Sequence, residues 1–152
     1  MTMDIYEALR ESHAAQRSLC ARLLRAKPTD GHVRRDALHS LRIELEAHAA
    51  AEERFLYAVI LLDDMGLKSS RHALAEHHEI EECVEKVAKS DSKGVAWLEH
   101  ARALSKRVRH HLKEEESKFF QVSGKILGPR QKTKLARQYQ KDYARMKKSL
   151  TA

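Results

Sequence analysis

Two stretches of this chain carry the same arrangement of side chains able to hold a cation. One reads His48-Ala-Ala-Ala-Glu52-Glu53-Arg-Phe-Leu-Tyr57 and the other His111-Leu-Lys-Glu-Glu115-Glu116-Ser-Lys-Phe-Phe120. In each, a histidine stands four residues before a glutamate. On a helix such residues share one face, about 6 Å apart along the axis. Each stretch therefore aims an imidazole and a carboxylate the same way. That way is inward. Leu41, Leu45, His48, Glu52, Leu56 and Val59 follow spacings of three and four, as do Ala101, Leu104, Val108, His111, Glu115 and Phe119; this is the core stripe of an amphipathic helix. A buried carboxylate without a partner costs several kcal/mol or gives up its charge. His and Glu standing where Leu belongs call for a cation.

The elements that must position these groups are helical. Five Gly, two Pro and few aromatics favour helix over sheet, and 152 residues suffice for one domain with a sizeable core. A first helix is expected from about Met3 to Lys27, with Ile5, Leu9, His13, Gln16, Cys20 and Leu23 inward. Pro28-Thr-Asp-Gly31 is a turn. A second helix follows from His32 to Asp64, with Gly66 as its C-cap. A third spans about Ser70 to Lys89, with Leu74, His77, Ile80, Val84 and Val87 inward. Ser90-Asp-Ser92 offers an N-cap for a fourth, Lys93 to Ser123. Gly128-Pro129 starts a fifth, proline suiting a first helical position.

The spacing also exposes a duplication. His13 precedes His48 by 35 residues and His77 precedes His111 by 34. Each helical hairpin supplies a lone histidine and then His-x-x-x-Glu. The expected fold is all-α: an up-down-up-down four-helix bundle over residues 1–124, followed by a basic helical extension over 125–152. Four imidazoles and two carboxylates exceed what one tetrahedral zinc site needs. The set His13, His48, Glu52, His77, His111 and Glu115 suits two ions sharing both carboxylates. Imidazole with carboxylate fits iron, and also manganese or zinc.

These residues carry a family resemblance. Ser-His13-Ala-Ala-Gln-Arg17, Ala-His48-Ala-Ala-Ala-Glu-Glu, Glu-His77-His78-Glu-Ile80 and Arg-His110-His111-Leu-Lys-Glu-Glu-Glu resemble the four helix signatures of the hemerythrin-like, HHE cation-binding domains, over about residues 3–121. The resemblance implies a non-haem di-iron site, oxo- or hydroxo-bridged, with O2, peroxide or nitric oxide as ligands. Family roles include oxygen binding, redox or oxygen sensing, iron handling and repair of nitrosative damage to iron centres. Two departures count against simple oxygen carriage. The carriers have His-x-x-x-His in the third helix, where this chain has Ala73 four before His77. They also have His-x-x-x-x-Asp in the last helix, where this chain has His111-x-x-x-Glu115. The ferritin type of di-iron bundle needs Glu-x-x-His, and no histidine here has a glutamate three residues before it.

Neighbouring residues divide between site and surface. His77 is preferred to His78 because it continues the stripe to Ile80 and Val84. His111 is preferred to His110 on the same ground and for its match to Glu115; His110-x-x-x-x-Glu115 is the alternative. Glu53, Glu114 and Glu116 are read as solvated groups or as acceptors for the free N–H of a ligand histidine. His32, His39, His72 and His100 are read as surface residues. Cys20 is a packed core thiol, and Tyr57, nine residues after His48, is expected to point away from the site. Two cysteines without a CxxC motif do not make a disulfide framework.

The acidic N-terminus shows no signal-peptide block and no apolar run reaches the roughly 18 residues of a membrane span. A cytoplasmic location is the expectation. The net charge of +7 is concentrated in residues 125–152, which hold nine Lys or Arg and one acid. There Leu135, Tyr139, Tyr143, Met146 and Leu150 form a stripe to dock on the bundle or on a partner. The basic face is read as a solvated face or, if functional, as a contact for nucleic acid, an anionic membrane surface or an acidic protein, and it matches no recognised nucleic-acid motif. The first expectation is a di-iron protein that binds, senses or reacts with O2, peroxide or nitric oxide; the residues leave turnover open. The rivals are an iron-binding or iron-delivery module without turnover, and an interaction protein with a structural metal and a basic tail.

Overall fold

The computed structural model describes residues 2–152 and leaves Met1 outside. Helix α1 is Ile5–Arg25. Its start is fixed by Asp4, whose side chain accepts from the Glu7 backbone while Glu7 reaches back to the Asp4 N–H, a capping box. Helix α2 is a continuous rod over 31–61: Gly31–Glu52, a π-helical turn Glu53–Tyr57, then Ala58–Leu61. Asp30 caps it by accepting from the His32 and Val33 N–H groups. Helix α3 is Leu67–Lys89. Helix α4 covers 95–126: Val95–Glu114, a second π-helical turn Glu115–Phe119, and Phe120–Ile126. Helix α5 is Pro129–Thr151, with Pro129 in its first turn.

Helices α1 to α4 pack each against the next and α4 back on α1, which closes the four-helix bundle. Two apolar clusters fill it. One contains Cys20, Leu23, Leu41, Val84, Trp97, Leu104 and Val108. The other contains Ile5, Leu9, Leu56, Tyr57, Ile60, Phe119 and Phe120, together with Leu135 and Tyr139 of α5. Along each helix the inward histidine stands near the change from one cluster to the other. The polar layer therefore sits between two sealed apolar ends.

Two loop expectations change. Gly66 does not close α2; it occupies the N-cap position of α3. A Cβ there would stand 2.4 Å from the Ile60 carbonyl oxygen and 2.3 Å from its Cγ2, so the tight return needs glycine. Ser90-Asp-Ser92 does not supply the α4 cap either. Gly94 holds that position without a side-chain bond. Ser90 instead donates to the Lys86 carbonyl at the end of α3. The loop is clamped by buried Arg34, which donates to the Ser92 and Gly94 carbonyls and stacks over the Trp97 ring.

Helix α5 docks on α1 and α2 with its apolar stripe inward, leaving Arg130, Lys134, Arg137, Lys141, Arg145 and Lys148 exposed. Leu135, Ala136 and Tyr139 are buried. Polar anchors fix the register. Buried Glu44 of α2 accepts from Ser12 of α1 at 2.7 Å, from Tyr143 at 2.6 Å and from Lys147 at 3.2 Å. Asp142 accepts from Arg54 at 2.6 Å and from Arg145 at 2.7 Å. Among the described residues no helix is long and apolar enough to cross a membrane.

Gly66→Ala should lower the thermal midpoint, since accommodating the extra methyl against Ile60 costs on the order of 1–3 kcal/mol; a melting curve matching the parent would show that the return is looser than this. Burial opposes the charge on Asp142, but the Arg145 and Arg54 guanidiniums outweigh it and hold its carboxyl below the ordinary value of 3.8. Its contribution is therefore fully present above that value and is lost as pH falls through the depressed one. The protection of α5 amides relative to their intrinsic exchange rates should fall in that acid window, and Asp142→Asn should reproduce the loss of protection at neutral pH.

Candidate metal centre

All six residues marked by the sequence lie in the core: His13 and Glu52 are 0 % exposed, and none of the six exceeds 6 %. The structure groups them as two sets, each offering one atom per residue within 4.8 Å of the others. His13, His48, Glu52 and Glu115 form the first; Glu52, His77, His111 and Glu115 form the second. The carboxylates of Glu52 and Glu115 belong to both. His78 and His110 stand outside, their side chains 71 % and 59 % exposed.

Each imidazole is held by its outer nitrogen. His13 Nδ1 donates to Glu116 at 2.7 Å, His77 Nδ1 to Glu53 at 2.8 Å and His111 Nδ1 to Glu76 at 2.9 Å. His48 Nδ1 pairs with the Tyr139 hydroxyl at 2.8 Å. The Nε2 atoms all turn inward. His13 Nε2 stands 3.1 Å from Glu115 and His48 Nε2 3.2 Å from Glu52, but neither contact has hydrogen-bond geometry. Both Nε2 atoms, both Glu52 oxygens and Glu115 Oε1 are buried without a hydrogen-bond partner. Buried polar atoms are seldom left so, and imidazole nitrogens with carboxylates form the donor set of a borderline transition metal.

The charges of the cluster lean on each other. Burial disfavours a charged His13, yet Glu115 and Glu116 outweigh that and hold the imidazole up at about 9. His77 is raised to about 10 in the same way, against burial, by Glu52 and Glu53. Burial pushes Glu52 upward, but His48 and His77 keep it well below the usual carboxylate range. Glu116, hydrogen-bonded by His13 and Arg17, falls to about 2. Without a cation, protons on His13 and His77 offset the carboxylate charge; a metal would compete with those protons, since its ligands must be deprotonated.

Tyr57 does not point away. Its buried hydroxyl donates to Glu115 and stands 3.4 Å from His77 Nε2. The cause is the π-helical turn. At about 100° per residue, Tyr57 would sit roughly 140° around the helix from Glu52; one extra residue in the turn returns it to roughly 40°. The same shift makes Ile60 fully buried while Val59, expected on the stripe, is only partly so. The second π-helical turn begins at Glu115 itself, one residue earlier in the repeat than the first, which begins just after Glu52.

Of the acidic neighbours, Glu53 and Glu116 hold ligand-type histidines, whereas Glu114 pairs with His72 and His110. His32, His39 and His72 lie on the surface and His100 is half-buried. Cys20 is buried among apolar residues. Glu76 carried no signal of its own in the sequence, and Tyr139 was marked only as part of the tail's apolar stripe. Glu76 adjoins His77 yet serves His111 across the helix pair, and Tyr139 reaches His48 across 91 residues.

Two clefts approach the centre. One, of about 470 Å³, lies between α2 and α3 and reaches His48, His77 and His111. Arg42 spans its rim to Glu46 and Glu85. The other, of about 410 Å³, lies between α3 and α4 and reaches His111 and Glu115.

A closed four-helix bundle with a His/Glu core able to bind metal defines a class of helical metal-binding domains. The family model of the hemerythrin HHE cation binding domain matches residues 4–122, and the chain belongs to that family. No curated protein matches the sequence significantly. Among solved structures it is similar to a hemerythrin HHE cation binding domain-containing protein from Mycobacterium kansasii. The TM-score is 0.87 at 18 % identity, over 97 % of this chain and 89 % of that one. That likeness speaks for the fold.

Tyr139→Phe leaves His48 Nδ1 buried without its partner, which costs on the order of 1–3 kcal/mol. Denaturant titration should show that loss; unchanged stability would mean that the hydroxyl contributes nothing there.

Proposed function

We propose that the chain is a non-haem di-iron protein that binds, senses or reacts with O2, peroxide or nitric oxide. The observation that carries this reading is the pair of four-residue sets sharing Glu52 and Glu115. His13 and His48 would hold one ion, His77 and His111 the other, and the two carboxylates would bridge. Manganese or zinc suits the same donors, but iron supplies one-electron chemistry toward those small ligands when bound.

The surrounding residues have definite tasks. Glu116, Glu53, Glu76 and Tyr139 fix the tautomer and orientation of the four imidazoles. The Tyr57 hydroxyl donates to Glu115 and holds a proton at the edge of the site. Phe119 packs edge-on against Tyr57, and Phe120 stacks on His13. These rings keep bulk water from that end. The α2–α3 cleft suits a ligand of a few atoms reaching His48, His77 and His111.

The purified protein should carry two irons per chain with absorption near the ultraviolet–visible boundary. Glu52→Ala and Glu115→Ala should each lose iron, read by metal analysis; full iron content in both variants would remove the bridging role. An iron-delivery module would instead yield its iron readily to a chelator. The reading of the tail as a separate working surface has less support, because α5 supplies the partner of His48.

A further inference from the structure

A second pair of His-x-x-x-Glu steps lies outside the core. His72 and Glu76 stand four apart on α3, and His110 and Glu114 four apart on α4. The two steps face each other across the helix seam. His72 Nε2 is 2.8 Å from Glu114 Oε1 and 3.6 Å from Glu76 Oε1. His110 Nε2 is 3.0 Å from Glu114 Oε2 and 3.9 Å from Glu76 Oε2. His72, Glu76 and Glu114 each offer an atom within 4.8 Å of the others. Two imidazoles with two carboxylates suit zinc, iron or cobalt, whereas magnesium and calcium favour all-oxygen sites.

The cluster is graded from solvent to core. The imidazoles of His72 and His110 are 57 % and 59 % exposed, Glu114 is 21 % exposed and Glu76 only 7 %. Glu76 Oε1 accepts from His111 Nδ1. The α3–α4 cleft is lined by His72, Glu76 and Glu114 of the cluster and also by His111 and Glu115 of the core. Lys68 and Lys118 also line it, so a cation would be held by the four-residue cluster rather than by a broad negative field.

We propose that His72, Glu76, His110 and Glu114 form a surface site for one divalent transition-metal ion, an entry station from which ions pass along the α3–α4 cleft to the core. The surface site stands on its own geometry; the passage rests on the reading of the core as a metal pair. An ion held there lies one shared carboxylate, Glu76, from His111. The exposed imidazoles exchange with solvent, which suits capture and release.

The test uses the full chain. Iron-loaded protein is titrated with Co2+, followed by calorimetry and by the visible absorption of the ion. One further equivalent is expected in the parent and its loss in His72→Ala/His110→Ala, with circular dichroism and the iron content at equilibrium unchanged. Glu114→Gln should weaken the same equivalent. Iron uptake by metal-stripped double variant should be slowed several-fold. No further equivalent in the parent, or an equal one in the double variant, overturns the site. Loss of the equivalent with unchanged uptake kinetics overturns the passage. A parent that takes up no core iron yet binds the Co2+ equivalent upholds the surface site and overturns the core reading instead.

Discussion

The structure depends on two carboxylates buried in the middle of an apolar bundle. Glu52 and Glu115 come from different hairpins, are almost wholly removed from water, and meet at one depth. Their mutual repulsion in a low-dielectric interior must be met by positive charge. Four imidazoles surround them, and every one is held from behind by another residue. The bundle's two apolar clusters lie on either side of this layer. Packing brings the helices together, and the layer fixes their axial register, because a slip of one turn would leave a carboxylate among leucines.

The acidic residue that follows the shared glutamate in each motif obeys the same logic. Glu53 and Glu116 follow Glu52 and Glu115 directly, yet each serves a histidine from the first helix of the opposite hairpin. The two hairpins are thereby cross-linked through the backs of their imidazoles. Arg17, donating to Glu116 at 2.9 Å, extends one of these links to the surface. The duplication seen in the sequence is matched by an exchange of partners in space.

Much of this was legible in the chain. Polar residues interrupting a regular apolar stripe marked the six core positions, and the 35- and 34-residue spacings marked the hairpins. What was not legible has definite causes. Tyr57 and Val59 were misplaced because a π-helical turn adds a residue that a constant 3.6-residue period cannot show. Gly66 was assigned to the wrong helix because its role is set by the approach of Ile60, a packing fact. Tyr139 and Glu76 were missed because their partners lie on other helices, and a single sequence does not pair them. The tail's apolar stripe was visible; which of its tyrosines would enter the polar layer was not.

The docking of α5 has a temporal consequence. A ribosome makes residues 129–151 after the bundle that they cover. While they are still in the exit tunnel, the four helices can associate, but His48 lacks the hydroxyl behind its ring and Glu44 lacks two of its donors. The half of the centre built on His13 and His48 therefore takes one of its supports from the last helix to be made, whereas His77 and His111 are held from within the bundle by Glu53 and Glu76.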